Sequence, residues 1–239
     1  MGSGLAYLKS VAAEAARSLW ANIIPAGILW LVGLAILVGY YHVPPVQAAL
    51  QRVADVRDHW GVWFALVSTA VFGGLLPGTI EALLGRARKG WVLADLGFLL
   101  LLWAQKGLEV DLFYRFQAWL LGEGTSLATV LPKVAVDMGI YAPFWAVPTM
   151  VLALRWKDGY YRRPRWRDRP GWAWYREHLL PITIINASFW TPAVLVIYSL
   201  PLALQLPVQN LLLCLWSLMV LFMVARPAEE HPAPTAAAA

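Results

Sequence analysis

The chain of 239 residues is 60% apolar and only 14% charged, and its formal net charge is +5. Water-soluble domains carry about 25% charged residues, so this composition excludes that class and indicates a membrane protein. The apolar residues form long unbroken runs rather than alternating segments, which excludes a transmembrane barrel and predicts membrane-spanning helices.

Six such runs predict an all-α, polytopic transmembrane bundle of about six membrane helices. In chain order they cover residues 18–42, 60–84, 91–112, 129–154, 179–200 and 204–225. Charged residues interrupt the third run, so we expect its last turns to leave the lipid core. Pro181 and Pro192 predict a kink or an interfacial stretch in the fifth.

Lysine and arginine concentrate in the loops that an arrangement with a cytoplasmic amino terminus places inside the cell. The loop after the second run holds Arg86, Arg88 and Lys89, and eight further basic residues lie between 155 and 176. Both termini are therefore predicted to be cytoplasmic, and residues 43–59 are predicted to form an outer loop.

The segment 160–176 combines aromatic and basic residues. A nucleic-acid surface has the same residue types, but the positive-inside pattern already accounts for them, so we expect no nucleic-acid partner. Binding of anionic lipid headgroups is the expected secondary role of Arg162, Arg163, Arg165 and Arg167.

The chain divides into three parts. Residues 1–59 are predicted to hold an interfacial helix at 5–19, an additional membrane helix and the outer loop; a mitochondrial targeting segment is the alternative for 5–19. Residues 60–226 are predicted to form the main bundle. The proline- and alanine-rich residues 227–239 are predicted to be disordered.

Motifs of enzymes and of metal or cofactor sites are not found in the sequence. Its histidines, His42, His59, His178 and His231, are scattered through predicted loops and the tail without metal-ligand spacing. Cys214 is the single cysteine, so an intrachain disulfide is excluded. We therefore expect no enzymatic activity, no metal and no cofactor.

Ionisable residues inside the apolar runs are costly and thus mark candidate functional sites, either lining a pore or buried between helices. Glu81 and Asp95 lie near the predicted cytoplasmic ends of their helices. A second group lies toward the outer face and consists of Lys106, Glu109, Asp111, Lys133 and Asp137.

Lys133 and Asp137 are four positions apart, which on a helix places them on one face, one turn from each other. The long lysine side chain is able to reach the interface, whereas the short aspartate is not. Asp137 therefore needs a partner, and we expect Lys133 to supply it.

The segment "KVAVDMGIYAP" (133–143) resembles the K-x-x-x-D-Q-x-x-x-x-P stretch of the Mpv-type family, which includes the twenty-two-kilodalton peroxisomal membrane protein. Further similarities lie at "GLEVDLFYR" (107–115) and "LLPITIINASFWTP" (179–192). The matching positions are Gly107, Tyr114, Arg115, Lys133, Asp137, Pro143, Pro181, Asn186, Pro192 and Trp216.

The sequence also departs from the family pattern. Met138 replaces the glutamine after the aspartate, Leu108 replaces the proline after Gly107, and the glycine-aspartate element expected within 60–84 is absent. The resemblance implies a divergent, bacterial member in the cytoplasmic membrane; the mitochondrial inner membrane and the peroxisomal membrane are the alternatives.

The resemblance implies a protein associated with channel-like passage of small solutes or ions. It does not identify the solute. The alternative is a non-conducting membrane scaffold or assembly factor, in which the same charges hold helices together. A continuous path of water size between Glu81, Asp95 and Asp137 favours passage, whereas a dry bundle favours the scaffold. The sequence leaves the oligomeric state open.

Overall fold

The computed structural model describes residues 23–24, 26–87, 90–162 and 171–223, with side chains as far as 218. Over these residues the protein consists of helices, and no strand occurs among them. The helices are α1 (Ala26–His42), α2 (Pro44–Trp60), α3 (Val62–Leu83), α4 (Val92–Leu121), α5 (Leu127–Asp158), α6 (Trp172–Tyr198) and α7 (Leu202–Met223). The predicted all-helical class is confirmed.

Three of these helices, α3, α5 and α6, are long and apolar enough to cross a membrane. Helices α1 and α2 are long and apolar enough only when taken together, and they are bent by 103°, so the pair forms either a fourth, broken span or a re-entrant loop. The predicted count of six spans is not confirmed. Helix α4 carries too many charges, and the described apolar part of α7, Leu202–Leu218, is shorter than a span requires.

The sequence prediction of a loop at residues 43–59 was wrong in its secondary structure, because Pro44–Trp60 form a helix. Val43 is extended because the residue before a proline avoids the helical region. This extended residue separates α1 from α2. Pro44 then starts α2, where its missing N–H has no cost. The helix continues to Gly61, whose φ of 53° suits glycine.

Three helices contain wide, π-type segments, at Ala70–Leu75 in α3, Asp137–Ala146 in α5 and Tyr175–Leu179 in α6. Each segment ends two residues before a proline, namely Pro77, Pro148 and Pro181. A proline inside a helix offers no N–H and crowds the carbonyl four residues earlier. The wider turn accommodates that carbonyl, so the prolines explain why the segments occur where they do.

Helix α4 distributes its side chains in the opposite way to a helix of a soluble protein, with charged residues buried and large apolar ones exposed. It buries Asp95, Lys106 and Asp111, while Leu93 and Trp119 are 85% and 78% exposed. Burial of charge together with exposure of large apolar side chains is unfavourable in water and favourable in lipid. The arrangement therefore gives α4 an apolar outer surface despite its charges.

The hydrophobic core lies where α1, α2 and α5 pack on α6 and α7. Ile197, Tyr198 and Leu200 are fully buried, and they share one cluster with Leu29 of α1 and Ala54 of α2. Residues 26–60 are thus part of the same core as the main bundle.

The loops gather at two ends of the bundle. At the basic end, the Trp91 ring lies 5.4 Å from that of Tyr160, so the α3–α4 and α5–α6 connections are neighbours. At the opposite end, the Tyr41 hydroxyl donates to the Ser199 carbonyl at 2.9 Å, which joins the α1–α2 and α6–α7 connections. The two strongly basic loops therefore share one end.

Candidate solute cavity

A cavity of about 340 Å³ lies between α4, α5, α6 and α7. Its wall is mostly apolar. The aromatic side chains that line it are Trp103, Phe113, Tyr114, Tyr141, Trp190 and Trp216. A mostly apolar pocket with a few converging polar groups is the usual form of a site for a small molecule.

Asp137 lines this cavity and is 5% exposed. Its Oδ2 accepts a hydrogen bond of 2.6 Å from the Tyr198 hydroxyl, and that hydroxyl accepts one of 2.5 Å from Gln117 Nε2. A chain of three side chains from α4, α5 and α6 therefore fixes the carboxylate.

The expected ion pair between Lys133 and Asp137 is not present among the described residues. Lys133 is 1% exposed, and its Nζ lies 6.0 Å from the centre of the Tyr198 ring. Tyr198 thus interacts with the ammonium through its ring face and with the carboxylate through its hydroxyl. Sequence spacing cannot reveal this arrangement, because Tyr198 comes from another helix.

Lys106 also lines the cavity, but its charge is compensated. Its Nζ lies 3.0 Å from both carboxylate oxygens of Glu109 and donates to Thr149 Oγ1 at 2.6 Å. The Tyr141 hydroxyl donates to Glu109 Oε1 at 2.6 Å, and Gln105 donates to Oε2 at 2.7 Å. This network ties α4 to α5.

Two carboxamides and the Ser217 hydroxyl add further polar groups to the wall. The Tyr114 hydroxyl donates to Gln209 Oε1, and both residues line the cavity. Asn186 of α6 lines it as well. Of these residues, sequence reasoning found Tyr114 and Asn186 but missed Gln209, because a neutral glutamine in an apolar run gives no signal of its own.

Asp111 does not line the cavity; it belongs to a separate ion-pair cluster near the opposite end. Its Oδ1 lies 2.7 Å from Arg57 Nη2, and its Oδ2 lies 2.7 Å from Arg115 Nε. Arg57 also pairs with the exposed Asp58 at 2.7 Å. Arg57 itself is buried, so the placement of this residue in a solvated outer loop was wrong. The sequence alone gives no reason to expect Arg57 and Asp111 to form an ion pair, because it does not show that α2 packs against α4.

Glu81 and Asp95 come together at the basic end, where both line a second cavity of about 150 Å³. Asp95 Oδ1 accepts a hydrogen bond of 2.7 Å from the Tyr161 hydroxyl. The two cavities share no lining residue. The structure thus brings the first predicted group together and divides the second group. Lys106 and Asp137 line the central cavity, Glu109 and Lys133 lie behind its wall on Lys106 and Tyr198, and Asp111 belongs to the separate cluster.

Several positions that carry the family resemblance are at close helix contacts. A Cβ added to Gly107 would collide with the Ala65 carbonyl oxygen, so α3 and α4 touch there.

The matching positions in α5, α6 and α7 also make contacts. The Pro143 carbonyl accepts a hydrogen bond of 3.0 Å from Tyr175. Trp216 stacks on Phe189 with ring centres 3.9 Å apart. Pro181 follows a wide segment of α6, as described above, and Pro192 lies within the same helix.

The four arginines expected to meet lipid fall largely outside the described residues. Arg162 is exposed in the connection between α5 and α6. Arg163, Arg165 and Arg167 lie outside the part of the chain that the structure describes, as do the predicted interfacial helix at 5–19 and the tail 227–239.

The described ranges contain no group of three or more histidine, cysteine, aspartate or glutamate side chains placed to hold a metal ion. Cys214 is buried and free.

The fold and the cavity together define a class: an all-helical protein with helices suited to a membrane and a small, mostly apolar cavity at its centre. Comparison with protein-family models, with curated proteins and with solved structures gives no match.

Proposed function

We propose that this protein is an integral membrane protein that provides passage for small solutes or ions through the central cavity. The observation that carries the proposal is that a buried carboxylate, Asp137, lines a cavity among helices that expose apolar side chains. An ionisable group buried in a membrane protein is expensive and is typically retained on a substrate or ion path.

The proposal includes the finer arrangement of six membrane crossings. Helix α4 has 30 residues, about 45 Å at 1.5 Å per residue, which exceeds the lipid core of about 30 Å. Because Asp95, Lys106 and Asp111 are buried and large apolar side chains such as Leu93 and Trp119 are exposed, α4 is suited to cross despite its composition. The basic end would then face the cytoplasm of a bacterial cell, together with both termini.

The direct test is the conductance of the purified protein in planar bilayers. The informative variant replaces both Lys133 and Asp137, by Met and Leu, because Tyr198 contacts both groups, so that a change at one is expected to disturb the other. If Asp137 borders the path, the double variant regains much of the stability lost in Asp137→Ala, and its conductance or ion preference stays altered. Conductance absent from the wild-type protein in bilayers that conduct with a known channel would refute the proposal.

A non-conducting scaffold is the second candidate, and two observations favour it. The central cavity and the basic-end cavity share no lining residue, and the buried cluster of Arg57, Asp111 and Arg115 joins helices without lining either one. For a scaffold, the double variant at 133 and 137 recovers stability and changes no transport property, because the charges only hold helices together.

Anionic lipid is the proposed partner at the basic end. Each basic residue near an anionic surface contributes about 1 kcal/mol to the attraction, so Arg162 and its neighbours 163, 165 and 167 together are sufficient to enrich such lipids.

A further inference from the structure

We propose that the central cavity selects small organic cations, in particular ammonium compounds with an apolar or aromatic body. This inference names the solute class of the proposed passage protein, so it rests on that function. The groups that carry it are one carboxylate and a surrounding set of aromatic rings.

Only one of the two oxygens of the Asp137 carboxylate has a hydrogen-bond partner among the described residues. Oδ2 accepts the Tyr198 hydroxyl, whereas Oδ1 has no hydrogen-bond partner among the described residues. No lysine or arginine of the described chain lies within ion-pair distance of Asp137. A buried carboxylate without a cation is costly, and a cationic ligand supplies the missing partner.

The other charged group in the wall does not compete for this role. Lys106 is bound to Glu109 through both carboxylate oxygens and also to Thr149. Lys133, on the Tyr198 ring, does not line the cavity. Of the two charged residues that line it, Asp137 is therefore the one without a close counterion.

Aromatic rings surround the same space. Phe113 and Tyr141 stack with ring centres 4.0 Å apart, and Tyr114, Trp190 and Trp216 also line the cavity. Aromatic faces attract ammonium groups, most strongly where water is excluded. The apolar remainder of the wall accommodates the body of the ligand, and the volume of about 340 Å³ limits its size.

The test uses three ligands of nearly equal shape: benzylammonium, benzyl alcohol and benzoate. Binding is measured by the shift in thermal unfolding of the purified full-length protein in detergent and by displacement of radiolabelled benzylammonium. We expect the ammonium compound to bind at least tenfold more tightly than the alcohol, and benzoate to bind most weakly. Equal affinity for the ammonium and the alcohol, or tighter binding of benzoate, would overturn the inference.

Two variants assign the effect to the cavity. Asp137→Asn should remove the preference for the cation, whereas Asp55→Asn, the same change at an exposed position of α2, should keep it. Phe113→Leu leaves every charge in place and is expected to weaken benzylammonium binding about three- to tenfold relative to the alcohol. The Phe113 result decides the matter if Asp137→Asn does not fold. A cation preference that survives in both cavity variants would place the site elsewhere.

Binding and passage are measured separately, so the two proposals fail in different ways. Binding of benzylammonium without conductance would refute passage and keep the ligand assignment. Conductance together with equal binding of the ammonium compound and the alcohol would keep passage and refute the assignment.

Discussion

The hydroxyl of Tyr198 on α6 donates to Asp137 Oδ2 on α5 at 2.6 Å, and the same tyrosine presents its ring to Lys133. One neutral side chain thus interacts with both members of a predicted ion pair. Tyr198 is fully buried, so the geometry of all three groups depends on it.

Tyr198→Phe should lower the free energy of unfolding by about 2–3 kcal/mol. The substitution keeps the ring and removes the hydroxyl, which leaves the Asp137 carboxylate and the Gln117 amide without their shared partner. The measurement is denaturant or thermal unfolding in detergent. Tyr41→Phe is the control, because its hydroxyl bonds an exposed carbonyl and should cost less than about 1 kcal/mol. Equal losses in the two variants would contradict the prediction.

Arg57→Met should destabilise the protein by about 3–5 kcal/mol, because it leaves Asp111 buried with one of its two cationic partners gone. Arg115→Met should cost at most about 1 kcal/mol, since that side chain is 43% exposed and water screens its charge. Unfolding experiments on both variants give the comparison.

The control for this pair is Arg52→Met, an exposed position on the same helix α2, which should have little effect. If Arg57→Met were no more harmful than Arg52→Met, the contact between α2 and α4 would not contribute to stability.

Gly107→Ala should destabilise the contact between α3 and α4 by about 1–3 kcal/mol or more. The added methyl group would meet the Ala65 carbonyl oxygen and the Thr69 side chain, so the helices must separate. Gly97→Ala, on the same helix, has nothing within 4 Å of the new carbon and should instead be neutral or stabilise by up to about 1 kcal/mol. Opposite signs of the two changes in unfolding temperature are the expected result.

Tyr160→Cys should be protected from an impermeant thiol reagent in intact cells, whereas Glu123→Cys should be labelled. The two positions are exposed at opposite ends of the bundle, and the basic end is proposed to be cytoplasmic. Cys214→Ser provides the background without a native thiol. Labelling at 160 together with protection at 123 would reverse the proposed orientation.

Replacement of Arg162, Arg163, Arg165 and Arg167 by glutamine should reduce the anionic lipid that co-purifies with the protein, because four positive charges are lost from the basic end. Mass spectrometry of the extracted lipid measures the change. Arg52→Gln, at the opposite end, is expected to leave it unaltered. If the quadruple variant retained as much anionic lipid as the wild type, these arginines would serve only to set the orientation of the protein in the membrane.

The sequence by itself determined the helical membrane class, because long apolar runs have no other stable form in lipid. It also identified five of the six charged residues that the described part of the chain buries, all except Arg57, since the cost of burial depends on residue type and local surroundings. The helix at Pro44–Trp60 escaped detection because polar and charged residues interrupt its apolar ones too often for a membrane span, and the charge pattern of Arg57 and Asp58 is equally typical of a loop.

The tertiary structure alone decided which groups meet. Arg57 and Asp111 are 54 positions apart, and Asp137 and Tyr198 are 61 apart, so no local period relates them. Spacing correctly placed Lys133 and Asp137 one turn apart, but the wide helical segment begins at Asp137, and a tyrosine from α6 takes the carboxylate. Which side chains of different helices contact each other depends on how the helices pack. That packing is set by steric fit and hydrogen bonding throughout the fold rather than by any one segment.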